Sequence, residues 1–128
     1  MARRLKCEEG MRARRPAHPL DHHPSFRAVI AAASPLAELV HRLPARAEGA
    51  DLVGALAIVC GDLADGFAAP PASRKRLTAH QRAWIAIRDI ERTVVAAGRR
   101  RLAPPEIVQR AQRAIDRADV LVGALLPT

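Results

Sequence analysis

The sequence predicts an all-α fold, an up-down-up-down antiparallel four-helix bundle, from three observations. Alanine and aliphatic residues supply nearly all of the 49% hydrophobic content, and aromatic residues make up only 2%. This composition favours helices, because strands prefer β-branched and aromatic side chains. Apolar residues recur at spacings of three and four in four segments, as on one face of a helix. Proline or glycine lies between these segments, so the connections are short and consecutive helices are expected to be antiparallel.

The length of 128 residues indicates a single domain with one core. We assign residues 25–126 to the bundle and residues 1–24 to a basic, disordered N-terminal tail. Residues 1–15 contain six basic and two acidic residues, so they carry four of the eight net positive charges. Prolines and a lack of apolar periodicity follow them. Met11 is an alternative start that would remove part of this charge.

The first predicted helix covers residues 25–42. Its apolar stripe consists of Phe26, Val29, Ile30, Ala33, Leu36, Ala37, Val40 and Leu43. Pro35 lies inside this stripe and removes one backbone donor, so the helix is expected to kink or to break into two short helices. A kink is favoured because the stripe continues in phase across Pro35.

The second and third predicted helices cover residues 50–66 and 74–97. Asp51 lies in the first turn of the second helix, where the positive end of the helix dipole stabilises a carboxylate. Ser73 is the predicted N-cap of the third helix, and Gly98 is the predicted left-handed residue that ends it. The second helix is apolar around most of its circumference, which indicates contacts with more than one neighbour.

The fourth predicted helix covers residues 105–126. Pro105 takes the first helical position and Glu106 lies in the first turn, and both are typical of a helix start. The apolar spacing that follows is close to a heptad seam. The four helices are similar enough in length to lie side by side in one bundle.

No segment predicts export or membrane insertion. The basic N-terminal residues are not followed by an apolar segment, and no stretch approaches the roughly 18 apolar residues that span a membrane. The two cysteines, Cys7 and Cys60, show no paired spacing, which is typical of a reduced cytosolic chain. We therefore expect a cytoplasmic protein without a membrane segment.

The segment Ile-Val-Cys-Gly-Asp-Leu-Ala-Asp-Gly-Phe, residues 58–67, resembles the second-helix signature of the bacterial four helix bundle proteins. This family includes the proteins encoded in 23S ribosomal RNA intervening sequences. Its usual form is approximately Ser-Ile-x-x-Asn-Ile-Ala-Glu-Gly, so Asp62 and Asp65 stand where the family has Asn and Glu. Residues 73–90 look like the family's following helix, although the linker at 68–72 is richer in proline than the family's turn.

The resemblance also extends to the accessory proteins of diversity-generating retroelements. Those proteins share the bundle, assemble as homopentamers with a basic surface, and bind reverse transcriptase and nucleic acid. The resemblance therefore implies a homo-oligomer, with a pentamer as the expected form. It further implies nucleic acid and a reverse transcriptase as partners, while the wider family has no settled activity.

Asp62, Asp65 and Gly66 are predicted to form a structural joint between the second and third helices. The two carboxylates are three residues apart and share a face near a helix C-terminus, where exposed carbonyls repel negative charge. The candidate cationic partners are Arg74, Lys75, Arg76 and the more distant Arg82. A salt bridge from Asp65 to one of them would join the helices. This interpretation is favoured over solvated surface charge, which remains the alternative. A metal or acid–base pair is disfavoured, because no histidine or further carboxylate falls at ligand spacing.

The histidines and serines do not indicate an enzyme. His18, His22 and His23 lie in a proline-rich segment without acidic or thiol ligands beyond Asp21, so we interpret them as solvated side chains. His80 leans inward and is interpreted as a satisfied core or interface residue. Nucleophile elbows, phosphate-binding loops and dinucleotide fingerprints are absent from the sequence. We predict no catalytic residue, no cofactor and no metal.

Basic clusters are the remaining functional feature. The candidate nucleic-acid-binding residues are Arg74, Lys75, Arg76, Arg99, Arg100, Arg101, Arg110, Arg113 and Arg117. The last three recur at spacings of three and four, so they share one helix face that can follow a phosphate backbone. A solvated face with nearby Asp116 and Asp119 is the alternative. Scarce aromatic residues favour backbone contact over base stacking.

Two functional hypotheses follow. The first is a non-enzymatic bundle that oligomerises and binds RNA or DNA backbone, as an accessory subunit of a ribonucleoprotein or reverse transcriptase. The alternative is a homo-oligomeric interaction or assembly module without a nucleic-acid role. Its surplus apolar surface, mainly on the second and fourth helices, would be buried between subunits.

Overall fold

The computed structural model describes residues 19–45, 47 and 51–127. Within these ranges the helices, in chain order, are α1 (Pro19–His22), α2 (Pro24–Arg42), α3 (Leu52–Ala68), α4 (Arg74–Arg99) and α5 (Pro105–Gly123), and no strand occurs. Each of α2 to α5 packs against its neighbour in the chain, and α2 also packs against α5, which closes the ring. The predicted all-α four-helix bundle is confirmed. None of the described helices combines the length and apolarity needed to cross a membrane.

Aliphatic side chains from all four long helices fill the core. The largest fully buried ones include Leu36, Leu39, Leu63, Ile87, Ile90, Ile115 and Val122. Most of the predicted apolar positions point inward, because residues three or four apart lie on one helix face. Ile30 is an exception: it is 51% exposed, since it follows the buried Val29 by one residue and is therefore rotated by about 100° around the helix axis.

α2 runs unbroken across Pro35, so the alternative of two separate short helices is wrong. The helix begins at Pro24, whose fixed φ suits the first helical position. His23 caps this end: the Ser25 amide donates to His23 Nδ1 at 3.3 Å, and the Ser25 hydroxyl lies 2.7 Å from the same nitrogen. Ser25 is thereby a buried polar residue whose hydroxyl is hydrogen-bonded.

The predicted disordered tail is wrong from Pro19 onward, because residues 19–22 form a helical turn that leads into α2. Proline has a fixed φ that suits the first position of a helix, and a proline begins each of the two N-terminal helices. The same prolines interrupt the apolar pattern, which is why the sequence did not predict this turn. The predictions for residues 1–18, including the basic cluster and Met11, lie outside the described residues.

The second helix of the bundle starts and ends later than predicted. Asp51 is the N-cap residue of α3, without a side-chain capping bond, and is not in the first turn. α3 continues through Gly66 to Ala68. Gly66 lacks a Cβ for a packing reason: a Cβ there would overlap the imidazole of His80 on α4. The glycine therefore permits close helix packing and does not end the helix.

A tight turn joins α3 to α4. The Ser73 amide donates to the Pro70 carbonyl at 3.2 Å, and Ala72 adopts φ 60°, which matches a type II turn with proline in its second position. Ser73 then caps α4, because its hydroxyl accepts a hydrogen bond from the Arg76 amide at 3.1 Å. The predicted N-cap is confirmed.

α4 ends in a Schellman motif that differs from the predicted one. The Arg101 amide donates to the Gly98 carbonyl at 3.1 Å, and the Leu102 amide donates to the Ala97 carbonyl at 3.0 Å. The left-handed residue is Arg101, with φ 54°, so the prediction of Gly98 in this role is wrong. Gly98 instead lies inside the helix, where a Cβ would come within 2.9 Å of Val108 Cγ1 on α5.

Candidate nucleic-acid interface

Four exposed arginines share the outer surface of α4: Arg88, Arg92, Arg99 and Arg100. They line a shallow groove of about 420 Å³, and we call these four residues the α4 basic face. Sequence reasoning identified Arg99 and Arg100 but missed Arg88 and Arg92. The missed signal was helical spacing, because Arg88, Arg92 and Arg99 follow each other at four and seven residues and therefore align on one face.

Neighbouring side chains orient part of the α4 basic face. The Arg88 guanidinium lies over the Trp84 ring, with 4.8 Å between its central carbon and the ring centroid, a cation–π geometry. Arg92 Nη2 lies 2.8 Å from Asp89 Oδ1, with both side chains largely exposed. An exposed pair of this kind contributes about 0–1 kcal/mol. Arg92 is thus readily released to another anion.

Three carboxylates lie beside the α4 basic face, between α4 and α5. Burial, followed by the nearby charges of Asp116 and Asp119, raises the pKa of Glu91. Asp119 Oδ1 is buried and has no hydrogen-bond partner among the described residues. This acidic strip, defined as Glu91, Asp116 and Asp119, repels phosphate. Glu91 also lines the groove of the α4 basic face, so the positive potential there is lower than the four arginines alone would give.

The three arginines predicted to form one stripe on α5 (Arg110, Arg113 and Arg117) have different surroundings in the structure. Arg110 Nη1 lies 3.1 Å from Glu38 Oε2 on α2, so a carboxylate partly neutralises it. Arg117 and Arg27 of α2 line a separate groove of about 440 Å³. Arg113 is exposed. The structure thus brings Arg110 and Arg117 to the α2–α5 side of the bundle.

The basic triplet at the start of α4 contains one residue with a structural role. Arg76 Nε donates to the Gly66 carbonyl at 2.9 Å, and Arg76 Nη2 donates to the Phe67 and Ala69 carbonyls at 3.0 and 2.8 Å. These acceptors lie at the C-terminal end of α3 and its C-cap, where carbonyls lack the full set of intrahelical partners; the Gly66 carbonyl also accepts from the Ala69 amide at 3.2 Å. Arg76 therefore joins α3 to α4 through the backbone.

The predicted salt bridge from Asp65 is wrong. In the described part of the chain, neither Asp62 nor Asp65 forms an ion pair, and Arg74 and Lys75 are exposed. The geometry of a helix explains this result. Side chains tilt toward the helix N-terminus, so the two carboxylates lean back from the joint, whereas the terminal carbonyls point toward it. The positive charge at the joint compensates backbone dipoles and leaves the carboxylates unpaired.

The outer side of α3 differs from that of α4. Its exposed residues include Val53, Ala57, Ile58 and Gly61, which we call the α3 apolar face, and Ile58 is 65% exposed. α3 contains no basic residue. On α5, Val120 is also strongly exposed. Ile30 of α2 and Ile85 of α4 are exposed as well, so surplus apolar surface occurs on all four long helices and is not concentrated on the two for which it was predicted.

The described residues contain no group of three or more His, Cys, Asp or Glu side chains close enough to hold a metal ion. His18 lies outside the described residues. His80 is buried, as predicted, but its Nε2 atom has no hydrogen-bond partner in the described structure. The prediction of a satisfied core histidine is therefore wrong for this atom.

Comparison with known proteins assigns no relative. No protein-family model, no curated protein and no solved structure matches the chain. The resemblance to the bacterial four helix bundle proteins stays a prediction that rests on residues 58–67.

Proposed function

We propose that the protein is a non-enzymatic, cytoplasmic binder of nucleic acid that contacts the phosphate backbone through the α4 basic face. The observation that supports this most directly is the alignment of three exposed arginines on α4, with the exposed Arg100 at its C-cap lining the same groove. From Arg88 to Arg100 the helix rises about 18 Å. One strand of a B-form duplex places about five phosphates along that length.

Backbone contact fits these surroundings better than base recognition. Stacking of unpaired bases requires exposed aromatic side chains, whereas Phe26, Phe67 and Trp84 are all half-buried. Trp84 is additionally covered by Arg88. Affinity should therefore depend strongly on salt and weakly on sequence. The family resemblance supports a more specific role, an accessory subunit of a ribonucleoprotein or reverse transcriptase.

Fluorescence anisotropy with a labelled RNA and a labelled DNA duplex, titrated across a range of salt concentrations, tests this proposal. Four released counterions give a slope of log K against log salt of about −3 to −4. The variant with Arg88, Arg92, Arg99 and Arg100 all changed to Ala should bind at least tenfold more weakly and lose most of this slope.

A matched control removes the same charge elsewhere. It changes Arg74, Lys75, Arg113 and Arg117 to Ala, which are exposed residues of the other two predicted clusters. We expect this variant to retain most of the affinity. Equal losses in the two variants would show that only net charge matters, and absence of binding at low salt would exclude the function.

The second candidate function is homo-oligomeric assembly through the α3 apolar face. It is favoured by strong exposure of Ile58 on the one long described helix that has no basic residue, since association there does not bring arginines together. Light scattering should return a multiple of 13.9 kDa, five-fold if the family resemblance holds. Ile58→Lys should lower this mass, whereas Ile85→Lys on α4, also exposed, should leave it unchanged. A monomer mass for the wild-type protein at all concentrations excludes assembly.

A further inference from the structure

One end of the bundle contains a cavity that neither proposed function uses. Its volume is about 700 Å³, and it lies where the start of α2, the end of α3, the start of α4 and the segment after α5 meet. The residues important for the argument are His23, Phe67, Arg76, Leu77, His80 and Leu125. This volume falls within the range of about 300–1,000 Å³ that is typical of small-molecule sites.

Most of the cavity wall is apolar. Phe67 lies between two imidazoles, with its ring centroid 4.4 Å from that of His23 and 4.8 Å from that of His80. Leu77 and Leu125 extend the apolar surface from α4 and from the segment after α5. The cavity is open to solvent on one side, so a flat or aliphatic ligand body would pack one face against this surface. Small-molecule sites typically combine such a surface with a few converging polar groups.

Arg76 supplies a fixed positive charge at this cavity. Its Nε and Nη2 atoms are occupied by the three α3 carbonyls, which hold the guanidinium in one orientation. Among the described residues, no carboxylate forms an ion pair with Arg76, and its Nη1 atom has no hydrogen-bond partner. Nη1 therefore remains to donate a charge-assisted hydrogen bond to a carboxylate oxygen of a ligand.

His80 forms part of the cavity wall. The residue is only 3% exposed, and its Nε2 atom is buried against Gly66 of α3, without a hydrogen-bond partner among the described residues. Burial, Arg76 and His23 together lower the pKa of His80, and burial lowers the pKa of His23. Both imidazoles are therefore neutral at pH 7, so that the cations at this site are Arg76 and the exposed Arg74, which also lines the cavity.

We propose that this cavity binds a small organic molecule with an apolar body and a single carboxylate. The carboxylate pairs with the Arg76 guanidinium, and the body packs against Phe67, Leu77 and Leu125. The His80 ring, which packs edge-on against Phe67, completes the wall on the α4 side. The site is separate from the α4 basic face, so ligand binding and nucleic-acid binding can be measured independently.

Titration calorimetry of the full-length protein with two carboxylate probes, naphthoate and octanoate, tests this proposal. At least one of them should bind at millimolar or lower concentration. The matching neutral amide should bind at least tenfold more weakly, because it cannot pair with Arg76. If neither carboxylate binds, or if acid and amide bind equally, the proposal is overturned.

A second experiment tests the location. Naphthoate or octanoate should shift the amide NMR signals of residues around Phe67, Leu77 and His80 and leave those of the α4 basic face unchanged. Leu126→Trp places a large side chain in the cavity wall and should abolish binding. Val120→Trp, at an exposed site on α5, is the control and should bind like the wild type. Shifts confined to the α4 basic face, or full affinity in a folded Leu126→Trp variant, would overturn the assignment.

Discussion

The two ends of α4 both have a run of three basic residues, yet these runs have different physical roles. Cations are unfavourable at a helix N-terminus and favourable at a C-terminus. At the N-terminal end, Arg76 is nevertheless fixed, because the antiparallel α3 brings its own C-terminal carbonyls to the same place. At the C-terminal end, Arg99 and Arg100 are exposed and remain free for a partner. The role of a basic run therefore depends on which groups lie next to it in the folded structure, and its charge in the sequence does not determine that role.

The largest expected effect is at the N-terminal end. Arg76→Ala removes three charge-assisted hydrogen bonds and leaves the carbonyls at the end of α3 without this donor, so it should lower the free energy of unfolding by about 3 kcal/mol. Arg100→Ala at the opposite end should change it by less than about 0.5 kcal/mol. Urea denaturation measures both, and equal effects would remove the distinction between the two ends.

The second-largest effect on stability is expected at the two glycines that pack near the ends of α4. Gly66→Ala would force a Cβ into the His80 imidazole, and Gly98→Ala would press on Val108. Overpacking of this kind destabilises by about 1–3 kcal/mol, and Gly66→Ala should have the larger effect. Gly61→Ala is the control: nothing lies near its added Cβ, so it should stabilise α3 by up to about 1 kcal/mol. Thermal unfolding of the three variants distinguishes close packing from helix propensity.

Arg101→Gly should stabilise the C-terminal end of α4. Arg101 adopts φ 54°, a left-handed conformation that is unfavourable by about 1–2 kcal/mol for residues with a Cβ. Glycine removes this strain but has a more flexible unfolded state, so we expect a net gain of about 1 kcal/mol in urea denaturation. A loss of stability would show that the Arg101 side chain has contacts important for the fold.

The smallest effect concerns pH and belongs to the N-terminal end. Because the pKa of His80 is lowered below its ordinary value of 6.5, protons bind the unfolded state more readily than the native state. Stability should therefore be constant above pH 6.5 and decrease as the pH falls through this value toward the folded-state pKa. Melting temperatures between pH 8 and about pH 5 measure the effect. His80→Gln should reduce the pH dependence, whereas His41→Gln, at an exposed site, should preserve it.

Local patterns predicted the elements that depend on neighbours in the chain. The apolar spacing predicted the four helices, and Ser73 was correctly identified as an N-cap. Gly98 was misinterpreted because glycine serves two purposes, a left-handed turn and close packing, and only the position of Val108 distinguishes them. The salt bridge of Asp65 was predicted because a sequence shows charged side chains directly. It does not show the partial charges on the carbonyls at the end of α3, which are the groups that Arg76 contacts.

The sites depend on contacts between distant residues. The α4 basic face was half predicted, since its arginines lie on one helix and their spacing is visible in the sequence. The cavity at the bundle end was not predicted. It combines His23, Phe67, His80 and Leu125, which come from four segments, and no spacing rule relates them before the helices pack.

The bonds from Arg76 to the end of α3 also bear on the order of folding. They join residues only ten, nine and seven positions apart, so the loop that must close before they form is short and its entropic cost is small. Packing of α2 against α5 joins much more distant parts of the chain, as in the Arg110–Glu38 pair. We therefore expect the α3–α4 hairpin to form in the folding transition state and the α2–α5 contact to form later. In stopped-flow experiments, Arg76→Ala should mainly slow folding, whereas Glu38→Ala should mainly speed unfolding.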